Sequence, residues 1–533
     1  MCNFITTCVT NLPVQHIFPY TSRLLDRPLP ELSPDDIVTF LRDNPHWCES
    51  APYCADCGEI ELTAYRLRAN PPQPPEEVIT RMIHPGVRLL KVQWSDLPAL
   101  LHGEKVSPQQ EEGFVVVYGD GKGEIEIFSP TGHELLALKL VGESIDSRRT
   151  AEQGGVSIGH IEAIIDQAES RGLIISPPSR LIRAFTSETV VDERYLRARI
   201  FTLQWHITQA CDLHCRHCYD RSSRRAVELF EGIRILDDFY DFCRHFQVRG
   251  QVSFSGGNPF LHPDFTALYK GAAERGFTIG ILGNPTARQD LQTLIDIKHP
   301  AFMQVSLEGL AEHNDYIRGA GHFSRTIDFL SVLKTLRIYS MVMLTLTRAN
   351  RDQVLPLAEY LRDKVNLFTF NRLALSGEGA SLASVPPGDF KQFLADYLKA
   401  AAANPIMGTK DNLFNIIRHE EGAPVSGGCT GFGCGAAFNF VALLPDGEVY
   451  GCRKACLPIG TVHSDSLITI YESSPAGAIR DGSSACFHCE LRPVCGSCLA
   501  ITTGLGLDPF TALDPYCFKE PHYQHHCITK EQP

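Results

Sequence analysis

Long apolar runs are missing from this 533-residue chain. None approaches the roughly 20 residues that a membrane-spanning helix needs, so no membrane role is expected. The opening residues, Met1-Cys2-Asn3-Phe4-Ile5, also lack the basic-then-apolar layout of a secretory signal. Nor is there an excess of basic charge: 49 Lys and Arg against 62 Asp and Glu leave a net charge of -13. A general nucleic-acid binder shows a basic stripe, and this balance argues against one. These absences point to a cytoplasmic protein that works on neither membrane nor nucleic acid.

Cysteine is absent between residues 58 and 210 yet abundant overall, with 19 in the chain. Five precede residue 60, three lie between 211 and 218, and nine lie between 429 and 517. Only Cys243 and Cys527 stand apart. Cytosolic thiols stay reduced, so grouped cysteines without a signal sequence point to metal rather than to disulfides. At this length one core is not enough, and roughly two to four domains are expected.

Residues 1–80 read as a cysteine-containing N-terminal segment. Ser33 reads as the cap of a helix running to Asn44, with Pro34, Asp35 and Asp36 in its first turn. Cys48, Cys54 and Cys57 follow; Cys54 and Cys57 form a C-x2-C pair with no second pair nearby, which leaves a metal site there an open alternative. The run Asn70-Pro71-Pro72-Gln73-Pro74-Pro75 reads as an extended linker and a boundary. Residues 85–180 read as a small α+β domain: strands at 87–94, 114–118, 124–128 and 135–140, then a helix from Ser157 to Gly172. Such a unit is either structural or a peptide-recognition element.

From 200 to 375 strands and helices alternate, with strands expected at 201–207, 252–255, 278–282, 303–307, 341–346 and 367–370. Strict alternation means right-handed crossovers and a parallel sheet. Six such units fall short of a full eight-stranded barrel. The expected fold is therefore α/β: a partial (β/α)6 TIM-like barrel, with the small α+β domain before it and a cysteine-rich domain at 425–520 after it. Residues 376–424, with a helix from Pro387 to Ala403, read as a helical connection. Chemistry in such sheets sits at the carboxyl ends of the strands.

The first of those ends carries Cys211, Cys215 and Cys218, at C-x3-C-x2-C spacing. Three thiolates on a short loop hold three irons of a cubane and leave the fourth open to another ligand. The competing readings are a zinc site or free thiols packed as small hydrophobes.

With these residues in view, the chain resembles the radical S-adenosylmethionine (SAM) enzymes that carry a C-terminal SPASM domain, over roughly half its length. The resemblance implies that Cys211, Cys215 and Cys218 ligate a [4Fe-4S] cluster whose fourth iron is chelated by SAM, and that Tyr219 lies near the adenine. Ser255-Gly256-Gly257-Asn258-Pro259 resembles the family's GGEP stretch at the SAM amino group. Asn258 replaces the usual glutamate, which implies weaker SAM binding or a different partner. Asn284 sits where the family has Thr-Asn-Gly, and Gln304-Val305-Ser306-Leu307-Glu308-Gly309 resembles QxSLDG, whose Ser306 and Glu308 would face SAM. Arg318 falls in a run similar to HDxIRGxGxF, either at the cofactor or in a structural ion pair.

Downstream, Cys434, Cys452, Cys486, Cys489, Cys495, Cys498 and Cys517 resemble the seven-cysteine SPASM pattern, and Cys429 adds an eighth. By this resemblance Cys429, Cys434, Cys452 and Cys498 hold one auxiliary [4Fe-4S] cluster, and Cys486, Cys489, Cys495 and Cys517 hold a second. A pair of zinc ribbons is the alternative. Cys456 is left over. The implied activity is that of an oxidoreductase-type maturase, which makes a 5′-deoxyadenosyl radical to modify a ribosomally synthesised precursor peptide by thioether, carbon–carbon or heterocycle formation. The maturases of selenocysteine- or cysteine-containing peptides are the group it resembles most. An electron donor such as flavodoxin or ferredoxin is implied as a partner. An anaerobic sulfatase-type maturase is the alternative, although such enzymes carry an aspartate where this chain has Arg453. A non-catalytic iron–sulfur electron carrier is the alternative of another class.

Overall fold

The computed structural model describes residues 14–25, 27–183 and 192–519; Cys2, Cys8 and Cys527 lie outside them. The chain divides into two compact units that part after Pro178.

In the first unit the helix Pro34–Asp43 begins as its sequence dictates, with the Ser33 hydroxyl accepting from the Asp36 N–H. The helix Cys54–Ala69 follows and turns Cys57, Ile60, Ala64 and Leu67 onto a sheet that lies beyond the proline-rich run. The segment to residue 80 and the unit from 85 onward therefore share a core. Cys48, Cys54 and Cys57 are all buried, Cys48 and Cys54 packing beside Phe18, Ile37 and Leu41. They pack as small hydrophobes.

The strands of this unit are β1 (Met82–Ile83), β2 (Val87–Trp94), β3 (Gln110–Gly119), β4 (Ile125–Phe128) and β5 (Ile174–Ile175). β2, β3 and β4 form an antiparallel sheet in that order, and β1 pairs with β5. The strand expected at 135–140 is instead part of a helix, Gly132–Gly142. Its start explains why: Thr131 and Glu134 form a capping box, each side chain bonding the other's backbone N–H. The cap nucleates a turn, and Leu and Ala then favour its extension. The helices Ser147–Gly154 and Ile158–Ser170 pack against it through Ala137, Leu140, Ala151, Ile161 and Ile165.

The second unit is built on six parallel strands: β6 (Ile200–Thr208), β7 (Arg249–Gly256), β8 (Thr278–Leu282), β9 (Phe302–Ser306), β10 (Ser340–Leu346) and β11 (Leu367–Arg372). Each pairs with the next in sequence. Alternation along β6 is clear. Phe201, Leu203, Trp205 and Ile207 are fully buried, with Trp205 stacked on Phe254. Thr202, Gln204 and His206 take the opposite face. Three further strands, β12 (Phe440–Leu443), β13 (Glu448–Tyr450) and β14 (Pro458–Thr461), extend the same sheet beyond β6. β12 runs parallel to β6, pairing Leu443 with Trp205, and β13 turns back on β12. The cysteine-rich segment therefore joins the barrel sheet through its own hairpin.

Candidate functional site

The loop bearing Cys211, Cys215 and Cys218 leaves the end of β6 and is fastened on both sides. Gly257 N–H donates to the Thr208 carbonyl (2.9 Å), and Asn258 N–H to that of Ala210 (2.8 Å). A Cβ on Gly256, at φ +135°, would stand 2.1 Å from the Thr208 oxygen, and one on Gly257 2.2 Å from the Ala210 oxygen. The two glycines are required because the end of β7 presses against the cysteine loop itself. Across the loop, Arg216 N–H donates to the Ile317 carbonyl (3.0 Å) and Glu378 N–H to that of Cys218 (2.8 Å). Cys211 is exposed, while Cys215 and Cys218 are partly covered.

At the ends of β7 and β8 two amides converge on one carboxylate. Asn258 Nδ2 donates to Asp212 Oδ1 at 2.9 Å, and Asn284 Nδ2 donates to the same oxygen at 2.6 Å. Asn284 Nδ2 also lies 3.6 Å from the Cys211 sulfur. Asn258 Oδ1 accepts from the Phe260 N–H (3.3 Å). Ser255 is buried on β7 opposite His206, and Pro259 starts the tight turn after Asn258.

Glu308, expected to face the open site, is 1% exposed and fully engaged. Its Oε1 accepts from Arg318 (2.6 and 2.9 Å) and its Oε2 from the Thr345 N–H (2.8 Å). Burial pushes this carboxyl up, but His217, Arg318 and the Thr345 N–H outweigh burial and hold it well below the usual carboxylate range. Arg318 is thus an ion-pair partner and also reaches the loop: its Nη1 stands 3.7 Å from the Cys215 sulfur. Burial raises the Cys215 thiol, and Arg318 counters that shift. Ser306 ends β9, in register with Met343.

Tyr219 lies under Arg453, whose guanidinium is 4.3 Å from the ring centre. Arg453 also donates to His206 on β6, and lies 3.6 Å from Asp220. Burial pulls its pKa down to about 9. Burial lowers the pKa of its neighbour Lys454, whose ammonium has Lys410, Cys452, Cys429 and Cys498 nearby. Cys456, at φ +51°, belongs with neither thiol set.

The eight later thiols fall into two neighbourhoods. Burial, with Cys452 and Cys429 beside it, pushes Cys434 up to about 11; Cys498 in turn feels Cys434 and Cys452. Cys486, pushed up to about 12 by burial, has Cys489 and Cys517 beside it, and Cys495 has Cys486 and Cys517. These last four line one pocket. Asn412 ties the two sets together: its Oδ1 accepts from Cys429 N–H (2.7 Å) and its Nδ2 donates to the Cys495 carbonyl (2.8 Å). Among the described residues no three His, Cys, Asp or Glu side chains close around a single metal ion.

The sequence had singled out neither Asp212, His217 nor Asn412. Each acts by touching a partner distant in sequence; Asp212 and His217, each beside a cysteine of the loop, carried a local signal and Asn412 carried none.

The family model for the radical SAM superfamily matches residues 205–361, and that for an iron–sulfur cluster-binding domain, SPASM, matches residues 434–499. The mycofactocin maturase MftC of Mycobacterium ulcerans (strain Agy99) is 31% identical over 338 residues, covering 59% of this chain and 87% of that protein. The antilisterial bacteriocin subtilosin biosynthesis protein AlbA of Bacillus subtilis (strain 168) is 23% identical over 314 residues, covering 55% and 66%. The crystal structure of Streptococcus suis SuiB has a TM-score of 0.50 at 15% identity, covering 82% of this chain and 99% of that one, a likeness of fold. With its open three-thiol loop at a parallel strand end and its eight later thiols, the chain belongs to the radical SAM enzymes that carry a SPASM iron–sulfur domain.

Proposed function

We propose that this enzyme matures a ribosomally synthesised precursor peptide by abstracting a hydrogen atom from it. The observation that carries the reading is the pairing, in one compact unit, of an open three-cysteine loop with two further sets of four thiols. Bound there, a [4Fe-4S] cluster and SAM supply a 5′-deoxyadenosyl radical when reduced by one electron. Cys211, Cys215 and Cys218 hold the cluster, and Asn258, Asn284 and the loop around them take the methionine end of SAM. Ser255, Gly256, Gly257, Pro259, Ser306, Glu308 and Arg318 shape that pocket, Gly256 and Gly257 by bringing the β7 end onto the loop. Tyr219 under Arg453 forms the wall expected at the adenine.

Cys429, Cys434, Cys452 and Cys498, and separately Cys486, Cys489, Cys495 and Cys517, are the ligands proposed for two auxiliary clusters. Clusters held there would supply a sink for the electron that an oxidised substrate gives up. The sulfatase-type alternative is disfavoured because a buried cation, Arg453, stands where an aspartate would be needed. A pure electron carrier has no use for an open iron.

Relatives named as a mycofactocin maturase and as a bacteriocin biosynthesis protein support a peptide substrate. The first unit offers a place to hold one: β2 and β4 are the edges of its sheet, and a leader peptide can add as a strand. The described residues contain no helix long and apolar enough to cross a membrane, and reduced thiols suit the cytoplasm, where flavodoxin or ferredoxin can donate electrons.

The test is anaerobic. Reconstituted, reduced protein with SAM should release 5′-deoxyadenosine, and a short peptide encoded beside the enzyme should change mass on incubation. No 5′-deoxyadenosine from protein with a full iron load would sink the reading.

A further inference from the structure

We propose that Thr369 and Asn371, on the last strand of the barrel, form a hydrogen-bonding wall for the reacting segment of the peptide, and that this wall admits an uncharged segment and rejects a charged one. The inference rests on the peptide-maturase reading.

Side chains alternate along β11. Phe368 and Phe370 are buried on its outer face, Phe370 against the rings of Phe393 and Tyr397 on the helix Pro387–Ala403. Arg372 takes the same face and is held by Asp411 and Asp514. Thr369 and Asn371 therefore face the barrel interior. The parallel register shows what stands level with them: Ser306 and Met343 beside Thr369, and Thr345 beside Asn371. Gln304, two residues before Ser306, shares that face one level below. None of these side chains carries a charge.

Their polar groups are unspent. Thr369 is 2% exposed, and its hydroxyl has no hydrogen-bond partner among the described residues. Buried hydroxyls are ordinarily paired, so one left open towards the barrel interior marks a place for a ligand. The half-buried amide of Asn371 makes no hydrogen bond among the described residues, and neither does that of Gln304. The chain just beyond β11 brings this wall to the radical loop. A Cβ on Gly377 would stand 2.6 Å from the Tyr219 carbonyl, and Glu378 N–H donates to the Cys218 carbonyl (2.8 Å). A segment held at Asn371 is thereby kept at the mouth where the hydrogen atom is taken. An amide and a hydroxyl can satisfy the N–H and C=O groups of a peptide. They cannot offset a charge taken out of water, which needs an opposite charge beside it. No such partner is to hand: Glu308 is already bound to Arg318 and the Thr345 N–H, and Arg372 faces away.

The probe is the precursor peptide that the reconstituted wild-type enzyme modifies, with equilibrium dialysis of SAM alongside. Thr369→Val replaces the hydroxyl by a methyl of similar size. It should raise the peptide KM about three- to tenfold with kcat within about twofold of wild type. Thermal stability should be no lower, since the hydroxyl removed bonds nothing in the protein. Asn371→Leu should raise the peptide KM about tenfold. With the residue before the reacting one set to Asn in one peptide and Asp in another, wild type should prefer the Asn peptide by about 100-fold in kcat/KM, charge being the difference between them. A peptide KM unchanged in both variants, or equal use of the two peptides, would overturn the inference. So would weaker SAM binding in Asn371→Leu at unchanged peptide KM, which gives the wall to the cofactor. If Asn371→Leu does not fold, Thr369→Val decides by its KM. Wild type that modifies no peptide would instead overturn the parent reading.

Discussion

The two thiol-bearing regions of the second unit are built on opposite plans. The radical loop gathers its three cysteines within eight residues, at the end of one strand, and leaves Cys211 exposed. The auxiliary thiols come from positions spread between 429 and 517, interleaved in sequence; Cys429 is exposed like Cys211, while burial raises those of Cys434, Cys486, Cys495 and Cys498. On the proposed assignment, a cluster that must admit a ligand would be held by local chain at a rim, and clusters that only relay electrons would be held by long-range contacts.

If the plans are independent, breaking one should spare the other. Cys215→Ala should lower iron from about twelve to about eight per chain and reduce 5′-deoxyadenosine release to background. Cys452→Ala should lose about four irons while leaving SAM affinity as in wild type. Iron analysis with SAM dialysis reads both, and loss of SAM binding in Cys452→Ala would contradict the separation.

The enclosed region should also be the more fragile. Arg372, at the end of β11, donates to Asp411 (2.8 Å) and Asp514 (3.0 Å) with all three buried, and Cys498 lies beside it. Arg372→Met strands two buried carboxylates, so thermal unfolding should show a loss of about 3–5 kcal/mol.

On the radical side the corresponding pair is Glu308 with Arg318. Because the folded-state pKa of Glu308 is depressed, its stabilisation is present above the unfolded value of about 4.3 and fades as pH falls through the folded one. Glu308→Gln should cost about 3 kcal/mol at pH 7 by leaving Arg318 buried without its partner. The difference from wild type should shrink in acid, as denaturant titrations at pH 7 and below 4 will read.

Smaller effects follow at the tethers. Asn412→Ala releases the Cys429 N–H and the Cys495 carbonyl together and should cost about 2 kcal/mol, with iron lost from both auxiliary sets. Arg216, stacked 4.3 Å from the Tyr316 ring at the exposed rim, should matter least: Arg216→Gln is expected to cost about 0.5–1 kcal/mol with iron unchanged.

The same contrast governs what could be read from the amino acids alone. The six barrel strands and the loop after β6 announce themselves because apolar strand patterns and a C-x3-C-x2-C spacing are local. The helix Gly132–Gly142 was mistaken for a strand because its leucines fit either pattern, and only the Thr131–Glu134 cap tips the balance. The departure at Asn258 was visible, but its relation to Asp212 was not, since 46 residues separate them and the contact exists only where β7 meets the loop. The pairing of β12 with β6 was equally hidden, being a contact between residues more than 230 apart.

That last pairing has a consequence for electron movement. β6 carries the radical loop at its end, and its neighbour β12 leads through β13 directly to Cys452. Adjacent strands stand about 4.8 Å apart and are locked by their hydrogen-bond ladder. The span from the radical loop to this auxiliary thiol is therefore set by a rigid lattice rather than by a hinge. Transfer along that span needs no closing motion, so its rate should be insensitive to solvent viscosity.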